Sequence, residues 1–315
     1  MIEAPIHKLI KILKAIPLLS LRTLYHLVLK SSVKEMPQIQ VIETKNGKFS
    51  GLSNDYLFKM AISQGTNEKH FVKLVGYLLG SSSVALDLGG NIGTHSITMS
   101  NLVKEGEVIT FEPQSLTFSI LQNNLLLNKC KNVTPYRFAC SDENYKTISM
   151  QPFSFVTEPG GDHVNNGALR VDLNSFSGDL ALTRTIDSFN FEKLDFIKID
   201  IQGSEVKALR GAQSTISKFK PYMFLEIEEI HLQAMGTSSK ELIELVLSFQ
   251  YVLYRIENEY PCDHICAPIE KVEDFEKNIA PNLGFTLSTK ISGSKVELLF
   301  AHEKDQNYKS IKTFN

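Results

Sequence analysis

The chain has 315 residues, a formal net charge of −2, 43 % hydrophobic and 22 % charged residues. That length buries a full core, as one large domain or two small ones, and the near-neutral charge excludes a general coat for nucleic acid. Four cysteines, Cys130, Cys140, Cys262 and Cys266, are too few for a disulfide scaffold, so a reduced, cytoplasmic setting is expected.

Residues 6–30 are basic, amphipathic and helical in period, with Pro17 interrupting them. They read as a helical arm packed on the domain or on a second subunit, with a membrane-surface helix as the alternative. No apolar run reaches the ~18 residues of a membrane span. Asn46-Gly47 is a strong hairpin turn. Residues 67–80 predict a helix with Phe71, Leu74, Val75 and Leu78 on one face. Val84-Ala85-Leu86 opens the first core strand, and Ile97 and Met99 mark the helix that follows. The alternation continues with strand 108–112, helix 114–128, a strand near 133–139, strand 196–199, helix 204–218 and a strand from Tyr222. Ser238 and Glu241 make a capping box for helix 239–249. Strands at 251–256 and 295–301 complete the pattern, and 157–180 reads as a loop or a small added hairpin. The expected architecture is a doubly wound α/β sheet with its ligand at the carboxyl ends of the strands. The boundaries expected are an arm and lead-in at 1–66, a main domain at 67–304 and a tail at 305–315.

The stretch Ser83–Ser100 concentrates the chemistry. Asp87 precedes Gly89, Gly90 and Gly93, a strand–turn–helix that presents backbone N–H groups to a ligand. Asn91 stands where the dinucleotide fingerprint G-x-G-x-x-G has its middle glycine. An acid two positions before the first glycine suits a ligand carrying an ammonium group, such as S-adenosylmethionine, better than a pyrophosphate. Glu112 closes the next apolar run, where a carboxylate can take both ribose hydroxyls. Asp200 and Glu226 also follow apolar strands directly, which puts four acids on one sheet edge.

These residues carry a family resemblance. Asp87-Leu-Gly-Gly-Asn-Ile-Gly93, Phe111-Glu112-Pro113, Thr185-Ile-Asp187-Ser188-Phe189 and Asp195-Phe-Ile-Lys198-Ile-Asp200-Ile-Gln-Gly203-Ser-Glu205, then Leu209-Arg-Gly211-Ala212 and Lys220-Pro221, resemble the FkbM family of S-adenosylmethionine-dependent methyltransferases. The resemblance implies a class I methyltransferase, Rossmann-like fold: a seven-stranded, mostly parallel sheet whose last strand is antiparallel. It implies that Asp87, Gly89, Gly90, Asn91 and Gly93 line the methionine and ribose side of the cofactor. It puts Glu112 on the ribose, the Ser141-Asp142 pair beside the adenine and Asp200 facing the transferred methyl group. Gln202 stands where the family often has Glu, so no acid–base role is assigned to it.

For a hydroxyl acceptor, a base within hydrogen-bond reach removes the proton. Asp200, Glu226, Glu228 and His163 are the candidates. A divalent ion held by Asp200 and Glu226 would replace a free base, but no compact ligand motif supports it and no metal ligand is assigned. Cys262-x-x-x-Cys266 with His264 has no standard zinc spacing, and His95 and His231 read as structural. The acceptor expected is a sugar hydroxyl of a glycan, glycolipid or related metabolite, by analogy with the family. A lipid or secondary metabolite, a cofactor-binding protein without catalysis and a nicotinamide-dependent dehydrogenase are the alternatives. Association into a homo-oligomer is compatible with the arm.

Overall fold

The computed structural model of the chain describes residues 38–45, 47–56, 58–59, 69–152, 169–173, 178–257 and 262–298. The arm at 6–30, His163 and the tail at 305–315 lie outside the described residues. A hairpin of β1 (Ile39–Thr44) and β2 (Gly47–Leu52) brackets the expected turn. Helix α1 (Lys69–Leu78) buries Phe71, Leu74 and Val75, as its period predicts. The alternation then runs β3 (Val84–Leu88), α2 (Thr94–Leu102), β4 (Glu107–Phe111), α3 (Ser115–Leu127) and β5 (Val133–Tyr136). After an insertion it resumes with β10 (Phe196–Ile199), α4 (Glu205–Arg210), α5 (Gln213–Phe219), β11 (Tyr222–Glu226), α6 (Glu229–Ala234) and α7 (Ser239–Ser248). The last strands are β12 (Tyr251–Glu257), β13 (Asp263–Pro268), β14 (Thr286–Ser292) and β15 (Lys295–Leu298).

The main sheet has the order β15-β14-β12-β13-β11-β10-β3-β4-β5. β5, β4, β3, β10 and β11 pair in parallel, and β13 pairs antiparallel with both β11 and β12. β12 therefore runs with the parallel set. These seven strands, six one way and one reversed, make the expected class I methyltransferase sheet. β14 and β15 extend it at the β12 edge, so the sheet is wider than the seven strands expected. Both faces are covered, as parallel strands require. Leu86 and Leu88 pack on one face with Val206, Leu209, Ile216 and Val246, while Ala85 packs on the other with Phe71, Leu74 and Met99.

Two differences from the sequence analysis have local causes. The strand near 133–139 divides into β5 and β6 (Ala139–Cys140), because β6 leaves the main sheet. It joins β9 (Leu180–Arg184), β7 (Thr147–Met150) and β8 (Val171–Asp172) in a second sheet of order β6-β9-β7-β8. The helix expected over 204–218 divides at Gly211-Ala212. A Cβ on Gly211 would lie 2.0 Å from the Ser141 carbonyl oxygen, so the helical path turns where it meets that strand end. Ser238 caps α7 as expected, its hydroxyl accepting from the Glu241 N–H.

Buried polar bonds tie the hairpin to the glycine turn. The Asn124 side chain accepts from Ser50 N at 2.6 Å and donates to the Ile92 carbonyl at 2.7 Å. One fully buried amide on α3 thus fixes both β2 and the loop that follows β3.

Candidate active site

β4, β3, β10 and β11 are parallel neighbours, so Glu112, Asp87, Asp200 and Glu226 rise at one carboxyl edge. Asp87 stands in register with Lys198 on β10. It is 0 % exposed. Ser96 Oγ donates to its Oδ2 at 2.6 Å, and Lys198 Nζ lies 3.3 Å from its Oδ1. Lys198, 1 % exposed, also lies 3.4 Å from Asp200 Oδ2 and donates to the Gly89 carbonyl at 2.8 Å. A buried ammonium is tolerable only with such a set of partners. Lys198 thereby joins the β3 acid, the glycine turn and the β10 acid.

The glycine turn is shaped by that contact. Gly89 has φ +86°, and a Cβ there would lie 1.9 Å from the Asp200 carbonyl oxygen. Only glycine lets the two loops touch backbone to backbone. Gly90 N donates to the Phe111 carbonyl at 2.9 Å, and Gly93 is the N-cap of α2. Asn91 N donates to Glu112 Oε2 at 3.0 Å, while Gln114 N donates to Glu112 Oε1 at 2.9 Å. Burial pushes the Glu112 carboxyl up to about 7, against the two N–H donors and Lys198, which lower it.

The acids beyond Lys198 form a second group. Gln202 Nε2 donates to Asp200 Oδ1 at 2.9 Å and to Glu226 Oε2 at 3.2 Å. Glu226 is held well above the usual carboxylate range, first by burial, then by Asp200, Asp263 and Glu205. Asp200 keeps about 30 % of its side chain exposed, so it is the acid a ligand can reach. Gln202, left without an acid–base role in the sequence reading, is the clip that holds the pair together.

A cavity of about 880 Å³, open solvent at its mouth included, lies beside this edge. Gly89, Phe111 and Pro113 line it from one side and Ser141 and Asp142 from another. The second sheet adds Ile148, Met150 and Val171 as an apolar wall. That size and mixed lining suit a small-molecule ligand.

Among the other candidates, Glu228 stands at the N-cap position of α6 and His231 one turn on, with Nδ1 3.2 Å from Glu228 Oε2. His95 packs on Phe71 with ring centroids 4.3 Å apart. His264 Nδ1 lies 2.8 Å from the Cys262 carbonyl oxygen, and Cys266 is buried in the core. Asp187 accepts from Ser214 N and Thr215 N, so it caps α5. Glu205 carries no role in the sequence pattern alone. Its Oε1 accepts from Ile201 N at 3.0 Å and Gly203 N at 3.1 Å, shaping the loop that carries Asp200 and Gln202. A helix opening with Asp or Glu after a left-handed glycine is the signal that could have found it.

Glu205 is 2 % exposed, and burial pushes its carboxyl from 4.5 up to about 7. Between those values the folded chain holds a proton that the unfolded chain has released. Stability is therefore fully present below about pH 4.5 and falls as pH rises through about 7, by about 3 kcal/mol for this group. Urea unfolding between pH 5 and pH 8 is expected to show this decline, and Glu205→Gln is expected to flatten it. An unchanged slope in the variant would contradict the burial argument.

A family model matches the chain over most of its parallel sheet. Residues 87–253, more than half of the chain, match the family model described as the methyltransferase FkbM domain. "Methyltransferase 1" of Beauveria bassiana (strain ARSEF 2860) is 24 % identical over 147 residues, covering 41 % of this chain and 58 % of that protein. The chain thus spans less than two thirds of that relative's length. The structure of a methyltransferase FkbM from Methylobacillus flagellatus KT aligns with 21 % identity and a TM-score of 0.44, over 64 % of this chain and 48 % of that one. An rRNA methylase from Streptococcus thermophilus aligns with 10 % identity and a TM-score of 0.38, over 63 % and 90 %. With its matched segment running from Asp87 at the end of β3 into β12, the chain belongs to the methyltransferase FkbM domain family.

Proposed function

We propose that this chain methylates a hydroxyl group, with S-adenosylmethionine as donor and a sugar of a glycan, glycolipid or related metabolite as acceptor. The observation that carries the reading is the partly exposed Asp200, held by Lys198 and Gln202 beside the more deeply buried Glu226 and next in the chain to Ile201, which lines the cavity.

The residues present fit such a donor. Gly89 sets bare backbone against the β10 loop, where a Cβ would lie 1.9 Å from the Asp200 carbonyl oxygen. Glu112 uses one lone pair on each oxygen for Asn91 N and Gln114 N, which leaves acceptor capacity for ribose hydroxyls. Asp142 lines the cavity where the adenine is expected. Asp87, fully enclosed, acts through Lys198 and the turn and positions them. When bound, the donor supplies a methyl group already activated on a sulfonium. The protein's part is to orient the acceptor, exclude water and take the proton. Asp200 accepts that proton. Glu226, which burial and the neighbouring Asp200 hold above the usual carboxylate range, steadies Asp200 through Gln202.

Incubation of the full chain with methyl-labelled donor and a panel of glycans, glycolipids and lipids tests this reading. Alkali-stable label on a sugar hydroxyl, lost in Asp200→Asn, is expected. Label confined to lipids or secondary metabolites would replace the acceptor. Donor binding with no transfer to any acceptor would favour a binding protein.

A further inference from the structure

We infer that Glu226, Glu228 and His231 form a binding site for a divalent transition-metal ion at the carboxyl edge of the sheet. One ligand atom from each lies within 4.8 Å of the other two. The sequence Glu226-Ile-Glu228-Glu-Ile-His231 builds this by changing period. Glu226 ends β11 and Glu228 is still extended, with φ −115° and ψ 108°, so their side chains leave on the same side. The helix then begins, and Glu228 and His231, three apart, share one of its faces.

Metal bonds to these donors of about 2.0–2.2 Å put co-ligands at most about 4.4 Å apart across an ion. At the tetrahedral or right angles that three co-ligands adopt, those bonds put the donors about 2.8–3.6 Å apart, so a closure of about one to two ångströms, within the reach of glutamate rotamers, draws all three onto one ion. His231 supplies a second, independent sign. Its Nδ1 is buried and 3.2 Å from Glu228 Oε2, yet it makes no hydrogen bond. A nitrogen and an oxygen that close without an N–H···O alignment are disposed as two donors aimed at a shared point.

The charge around the triad favours a cation. Asp200, Glu205 and Asp263 all act electrostatically on Glu226. The nearby bases are committed elsewhere: Lys198 to Asp87 and Asp200, and His70 to Asp263 at 2.9 Å. The α6 backbone is held in place, since a Cβ on Gly203 would lie 2.2 Å from the His231 carbonyl oxygen. Two carboxylates and one imidazole suit Mn²⁺, Fe²⁺, Co²⁺ or Zn²⁺ better than Ca²⁺. Three protein ligands leave coordination positions open for water or a bound ligand.

The site does not depend on methyl transfer, so the test reads metal binding directly. The full chain, stripped with chelator, is titrated with Co²⁺ alone and followed by visible absorption and calorimetry. One-to-one binding with a d–d spectrum of mixed nitrogen and oxygen ligation is expected. His231→Ala and Glu228→Gln should each weaken it at least about tenfold. Circular dichroism and thermal melting check that the variants fold, and Glu244→Gln, on an exposed face of α7, is the control expected to bind as the parent does. Co²⁺ binding that is absent, or equal in the parent and both folded variants, would overturn the proposal and leave His231–Glu228 a structural pair.

Discussion

Glu112→Ala is expected to weaken S-adenosylmethionine binding by tens to hundreds of fold. The carboxylate is buried, and it organises the site twice over, by accepting from Asn91 N in the glycine turn and from Gln114 N at the start of α3. Losing a charged acceptor from a desolvated site costs about 1.5–3 kcal/mol. Because burial raises this carboxyl to about 7, the ionised form that accepts ribose hydroxyls declines below that pH. Affinity in the parent should accordingly drop about tenfold from pH 8 to pH 6, and Glu112→Gln should lose that dependence. Calorimetry across this range reads both effects. Unchanged affinity in Glu112→Ala would remove Glu112 from the ribose.

Asp200→Asn is expected to lower turnover by about 10²–10⁴-fold while changing cofactor affinity much less. An asparagine keeps the size and the bond from Gln202 Nε2 but cannot take a proton. It also leaves Lys198 with one carboxylate, Asp87, in place of two. Comparison of single-turnover rates with donor affinity separates the two contributions. Near-normal turnover on the true acceptor would make Asp200 a structural residue.

The acids at the strand ends are legible in the sequence because each closes an apolar run and a parallel sheet brings those ends together. Lys198 is not legible in the same way. Inside Phe196-Ile-Lys-Ile it only interrupts the apolar pattern, and its partners Asp87 and Gly89 come from another strand. Gly203 and Gln202 show the same limit. Both are left-handed, φ +55° at Gln202 and +101° at Gly203, and at Gly203 the backbone meets α6, a contact between elements far apart in the chain. β14 is different: Leu287, Thr289 and Ile291 alternate inward over a short polar stretch, so its period is present, though easily passed over beside the stronger helical signals. β13 is masked by its composition. It begins with Asp263-His264 and ends at Pro268, and only its central place between β11 and β12 makes it a strand.

Titration of the full chain with S-adenosylmethionine and, separately, with NAD tests the central claim most directly. Calorimetry should show one molecule of S-adenosylmethionine bound per chain and no heat from NAD, because Asn91 and the closed contact of Gly89 with the β10 loop do not make a pyrophosphate cradle. Binding of NAD without binding of S-adenosylmethionine would contradict the account.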